Sequence, residues 1–167
     1  MSDSSNAAEA GAGSNAWERA IDDMHDLAAE RAAEGWETVT VHAGETTPEP
    51  PSEGDSNRFG VVYTVPDNVA DEVRETVEGI SAGEYKVYRR QVGKTLFLVT
   101  EFADAESETA LFVAGAMNLQ FADQLFEAAT ERGEIYSHLQ LLDWTQLGSF
   151  RHDDPSAFVP EEVAPDA

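Results

Sequence analysis

Apolar residues recur along this chain with two different periods, and the switches between them mark its elements. Trp17, Ile21, Met24 and Ala28 follow at 4-3-4 spacing, which sets them on one helical face. Asn15, with Glu18 three residues on, reads as a capping-box start, and Gly35 as the stop. Trp36 to His42 alternates as a strand. Residues 43–57 (AGETTPEPPSEGDSN) hold no large apolar side chain and predict a flexible loop. Phe59 to Val65 is a strand, and Pro66-Asp67 opens a helix with Val69, Val73 and Val77 on one face.

Glu84–Val92 and Thr95–Phe102 predict a hairpin over Gly93-Lys94. Asp104 reads as the cap of a helix through ALFVAGAM, restarted at Asn118 and continued by Phe121, Leu125 and Ala129 to Gly133. Ile135 to Leu142 is the last long strand, and Thr145 to Phe150 folds back on it. The order from Phe59 to Leu142 is thus that of a ferredoxin-like βαββαβ core, with an added N-terminal helix and strand, in the α+β class. Residues 15–152 form a single domain between a disordered acidic N-terminus, 1–14, and an acidic C-terminal tail, 153–167.

Charge changes the picture more than composition does. The 167 residues carry 33 acidic side chains against 10 basic, a net charge of −23. Such a surface repels itself in dilute buffer. In molar salt the screening length falls to about 3 Å, and the same surface becomes tolerable and stays hydrated. Only two of the ten basic residues are lysines, which fits a salt-adapted, halophilic cytoplasm. Residues 1–57 hold 13 acids and 2 bases, and the last 16 hold 5 acids and no base, so the excess lies at the ends. Duplex DNA is disfavoured as a partner. The absence of cysteine excludes disulfides, thiolate zinc sites and cysteine nucleophiles. No segment reaches the length of a membrane span, and the N-terminus has no signal-peptide pattern.

Four of the basic residues, Lys86, Arg89, Arg90 and Lys94, fall within nine positions. With Gly93-Lys94 as the turn, Lys86 faces Glu101, Tyr88 faces Val99 and Arg90 faces Phe97. Tyr85, Val87, Leu98 and Phe102 form the opposite face and the better core. In the last strand, burial of Ile135, Leu139 and Leu141 turns Tyr136, His138 and Gln140 the other way. Lys86, Tyr88, Arg90, Phe97, Tyr136 and His138 are accordingly the candidate ligand-binding residues, on a sheet face that cations and rings would share. Trp17, Ile21 and Met24 are the candidate interface residues, although the same helix face is also a natural cover for the sheet. The rings and cations are of the kind that bind single-stranded RNA, but KTLFLVTEF lacks the RNA-recognition pattern.

Other motifs fail on their chemistry. VGKT at 92–95 has Tyr88 where a phosphate loop needs its first glycine, and a strand follows instead of a helix. His25 lies near Asp22 and Asp26 on its helix, a solvated acidic face more than a divalent site. His42 ends its strand beside the long loop. His138 and Asp143 are five apart on an extended segment, hence on opposite faces. His152-Asp153-Asp154-Pro155 reads as a capped turn with proline at the first helical position. No catalytic constellation, metal site or cofactor is predicted.

GWETVTVHAGETTPEPP (Gly35–Pro51), RFGVVYTVPDNVAD (Arg58–Asp71) and LQLLDWTQLGSFRHDDPSAFVP (Leu139–Pro160) resemble an uncharacterised haloarchaeal protein family, a domain of unknown function. The resemblance covers about residues 16–160. It supports the salt-adapted cytoplasmic assignment and implies no activity, cofactor or catalytic residue. The sequence therefore reads as a non-enzymatic regulatory or binding module with a protein partner or a self-associating homo-oligomer. The alternatives are a small-anion or metabolite binder or enzyme using the basic, aromatic face and, more weakly, single-stranded RNA binding.

Overall fold

The computed structural model describes residues 2–51, 59–80 and 84–159, with side chains described from Asn15 onward. Helix α1 spans Ser2–Ala33. Its backbone continues through the segment expected to be disordered, so Asn15 lies inside the helix and is not its cap. Alanines at 7, 8, 10 and 12 favour that extension. At the other end the reading holds: Gly35 takes φ +92°, and the Trp36 amide donates to the Arg31 carbonyl at 3.1 Å.

The strands are β1 (Glu37–His42), β2 (Thr46–Glu49), β3 (Gly60–Thr64), β4 (Glu84–Val92), β5 (Thr95–Asp104), β6 (Thr109–Asn118), β7 (Ile135–Gln140) and β8 (Gln146–His152). Helices α2 (Ala70–Gly79) and α3 (Asp123–Arg132) complete the α+β fold. The eight strands form one mixed sheet in the order β4-β5-β6-β2-β3-β7-β8, with β1 parallel to β6.

The ferredoxin-like core is corrected here. ALFVAGAM is the body of strand β6 and not a helix, so the expected βαββαβ unit carries a third consecutive strand. A short apolar run buried on both faces has no period that separates strand from helix. β6 is such a strand. Phe112 and Ala114 meet α1 on one face, while Leu111 and Val113 enter the main core on the other. The β4–β5 register, in contrast, is the one expected, with Lys86 opposite Glu101, Tyr88 opposite Val99 and Arg90 opposite Phe97.

Two further boundaries move. The 43–57 loop contains β2, whose residues pair with β3 along their whole length but meet β6 only at Thr46. The side of β2 beyond Thr46 faces no partner strand, which is why Pro48 is tolerated in it. Residues 52–57 of that loop lie outside the described residues. At the C-terminal end the domain does not stop at 152. Asp154 caps a 3-10 turn at Pro155–Ala157, and Phe158 and Val159 join the core. The rest of the acidic tail, 160–167, lies outside the described residues.

The two sides of the sheet carry separate cores. On the inner side α2 and α3 bury Val73, Leu125 and Phe126 against Phe59, Tyr63 and Phe102. The ends of the strand order come together there. Phe102 on β5 stacks on Phe150 of β8 with centroids 4.3 Å apart, and the Tyr85 ring lies 4.2 Å from that of His152. The strap after β8 closes the seam, with the Arg89 guanidinium donating to the Ala157 carbonyl at 2.7 Å. On the outer side α1 lays Ala16, Ala20, Met24 and Ala28 on Phe97, Val99, Phe112 and Ala114. That covers only the β4, β5, β6 and β1 half. Over β2, β3, β7 and β8 no helix among the described residues covers the outer side, and we call this the open half.

Candidate functional site

The open half ends in a turn whose geometry is tightly fixed. Leu141 donates its amide to the Thr145 carbonyl and Trp144 to that of Leu141, both at 2.9 Å. The Asp143 carboxylate accepts the Thr145 amide at 3.1 Å, and the hydrogen bonds from Thr145 hold its pKa below the ordinary carboxylate range. The Gln146 amide group donates to the Gln140 side-chain oxygen at 2.9 Å and to the Trp144 carbonyl at 3.0 Å. This scaffold places two large apolar side chains in water: Leu142 is 74% exposed and Trp144 is 77% exposed. Trp144 also has φ +75°, a left-handed backbone that non-glycine residues adopt only at a cost.

Beside the turn lies a cleft of about 580 Å³. It is lined by Val62, Thr64 and Gln140, by Leu142 and Trp144 of the turn, and by Glu45, Pro48, Glu49 and Pro50. Among the described residues no basic side chain lines it. The cleft therefore offers an aromatic face, amide groups and carboxylates, a donor set that suits apolar, neutral or cationic groups and disfavours anions.

The six residues expected to bind a ligand are not brought together. Lys86, Tyr88 and Arg90 are exposed on edge strand β4. Phe97 is buried under α1, its ring 6.5 Å from that of Trp17. Tyr136 and His138 stand on β7, separated from β4 by four strands in the sheet order. The Lys86–Glu101 pairing exists in register, but the buried Glu101 carboxylate is held by the Arg31 Nε at 2.7 Å. Both nitrogens of His138 are engaged, Nδ1 with the Ser149 hydroxyl at 2.7 Å and Nε2 with the Phe59 carbonyl at 3.2 Å.

Of the candidate interface residues, Met24 is fully buried against the chain's own sheet, and Trp17 and Ile21 pack half-buried at the margin of the same cluster. The face they form is thus occupied within the chain.

His152 is the residue whose role the sequence left least visible. It is 1% exposed, boxed by the Tyr85, Phe102 and Phe158 rings, and its Nε2 meets the Ser137 hydroxyl at 2.9 Å. Burial alone pushes its pKa down to about 4. Ser137 and His152 resemble a nucleophile and its base, but the serine is fully buried and the histidine Nδ1 has no hydrogen-bond partner. A triad needs a carboxylate at that nitrogen and a hydroxyl within reach of substrate. The pair is a polar joint in the inner core.

The expected strand runs through Leu142 and leaves Trp144 in the two-residue connection to Thr145, so the sequence reading singles out neither. The available signal was LLDWT itself: apolar residues on either side of an Asp that starts a turn.

No helix among the described residues is long and apolar enough to cross a membrane. A family model described as a family of unknown function, DUF7529, matches residues 3–160. No curated protein and no solved structure matches the chain.

Proposed function

We propose that this chain, which belongs to the family of unknown function DUF7529, is a non-enzymatic binding module of a salt-rich cytoplasm that self-associates through the Leu142–Trp144 turn. One observation carries the reading. A hydrogen-bonded turn holds two large apolar side chains about three-quarters exposed, one of them on an unfavourable backbone. Interface hot spots are built this way, from rigid aromatic and aliphatic anchors that reach a partner's pocket with little entropy left to lose. In molar salt the mutual repulsion of two strongly acidic copies is screened, while apolar contact is not weakened.

Equilibrium sedimentation in molar KCl tests it. The wild-type chain is expected to associate reversibly, and the Leu142→Ala/Trp144→Ala double variant to sediment as a monomer with an unchanged circular dichroism spectrum. A wild-type chain that stays monomeric across the accessible concentration range overturns the proposal.

A second reading rests on the cleft beside the turn. Its lining favours a small neutral or cationic ligand with a flat apolar face stacked on Trp144. Such a ligand raises the melting temperature of a monomeric wild type and not that of Trp144→Ala.

A further inference from the structure

Four histidines are the chain's only imidazoles, and it has no thiolate. Two of the four are buried in the sheet: His138 between Ser149 and Phe59, and His152 in its aromatic box. The other two, His25 and His42, are 17 residues apart in sequence, on different elements, and exposed. The fold brings them together. His25 stands on α1 and His42 at the end of β1, and their Nε2 atoms are 3.2 Å apart.

That separation has a chemical meaning beyond a shared proton. Two ligands on one zinc ion, each about 2.0–2.1 Å from it, close an N–Zn–N angle of about 100–106° when they are 3.2 Å apart. The tetrahedral angle is near that value. With no ion present one imidazole N–H donates to the other ring. With an ion present both rings turn their Nε2 lone pairs on it and keep their protons on Nδ1. Both residues are exposed, and their rings meet edge to face with centroids 5.4 Å apart.

The sequence around both histidines is acidic. Asp22 lies one helical turn before His25, Asp26 follows it, and Glu45 comes three residues after His42, all exposed. No group of three or more ligating side chains is placed to hold a metal among the described residues, so the ion takes two protein nitrogens and completes its sphere with water. Imidazole donors with water select zinc, copper or nickel over magnesium and calcium, which need an oxygen cage.

We infer that His25 and His42 form a two-histidine site for a borderline divalent metal ion, which clasps α1 to β1. An ion that bridges them binds the folded chain, where the two rings are already together, more tightly than the unfolded one, so it stabilises the packing of α1 on the sheet.

The test uses the full chain in molar KCl, in a non-coordinating buffer, with Zn²⁺ alone and Mg²⁺ as the control. Calorimetric titration is expected to show one saturable Zn²⁺ per chain, with a rise in melting temperature that a chelator reverses. His25→Ala and His42→Ala are each expected to weaken Zn²⁺ binding at least tenfold while melting like the wild type without metal. With Cu²⁺ alone, electron paramagnetic resonance is expected to show coupling to two imidazole nitrogens in the wild type and to one in each variant. Equal Zn²⁺ binding by the variants, or equal stabilisation by Mg²⁺, would assign the effect to surface carboxylates and overturn the site. Absence of saturable binding would overturn it as well.

Discussion

The two halves of the outer sheet face are built from the same strands' pleat and finished in opposite ways. Under α1 the outward positions of β5 and β6 include Phe97, Val99, Phe112 and Ala114, so these strands are largely apolar on both faces, and the one buried carboxylate there, Glu101, is paired with Arg31 of the helix. Across the open half the outward positions include Thr47, Thr64, Gln140 and Gln146 beside Val62, so this side is more polar. The covered half resembles the interior of a larger protein. The open half is a surface, and the chain's most exposed tryptophan and leucine stand at its edge. Function can therefore reside in only one of them: the covered half is committed to folding, and the open half has groups the fold does not need.

Gly60 gives the largest expected effect and limits that distinction to one face. It has φ +147°, and a Cβ there would run into the Tyr136 backbone carbonyl, which cannot step aside as a flexible side chain can. Backbone strain and overpacking together put Gly60→Ala at about 3–5 kcal/mol. Chemical denaturation measures it. A loss under 1 kcal/mol would mean that β3 and β7, which lie in the open half, are not locked as closely as the covered strands.

Met24→Ala probes the covered half directly. The side chain is fully buried between α1 and the sheet, and large-to-small changes of this kind remove about 2–5 kcal/mol. The same truncation at Leu142 should change stability by less than about 0.5 kcal/mol, since the side chain is mostly in water already. Comparable losses at the two sites would erase the contrast between the halves.

The inner core can be broken by acid. His152 has a folded pKa of about 4, below the 6.5 of an unfolded histidine, so the unfolded chain binds the proton more tightly. Its contribution is fully present above pH 6.5 and is lost as pH falls toward 4, by about 3 kcal/mol in all. His152→Phe should flatten stability against pH in that window. An unchanged slope would mean that carboxylate protonation alone accounts for the acid sensitivity of the chain.

The contrast between the halves also explains what could be read in advance. The β4–β5 register was legible because a two-residue turn fixes it locally. The helix stop at Gly35 and the Asp154-Pro155 turn were legible for the same reason, each being encoded within a few residues. β6 was not, because burial on both faces removes the alternation that identifies a strand. β2 was not, because its outward threonine and its proline imitate a loop once the partner strand is unseen. The expected ligand set is dispersed at longer range. Strand alternation told correctly which way Phe97 and Tyr136 point, but only the strand order, which sequence does not carry, shows that four strands separate β4 from β7.

A small expected effect on folding is the most informative about the open half. Trp144 has φ +75°, where a side chain costs about 1–2 kcal/mol and glycine costs none of that strain. Its ring returns little burial, being 77% exposed. Trp144→Gly should therefore fold as stably as the wild type or up to about 1 kcal/mol more stably, the usual gain being partly offset by the greater freedom of glycine in the unfolded chain. Trp144→Ala keeps the strain and should gain nothing. If Trp144→Gly melts higher and at the same time no longer self-associates, the tryptophan is held at a strained position for contacts outside its own fold. A variant that is destabilised by more than about 1 kcal/mol would mean that the ring supports the turn itself, and the open half would then be folding machinery like the covered one.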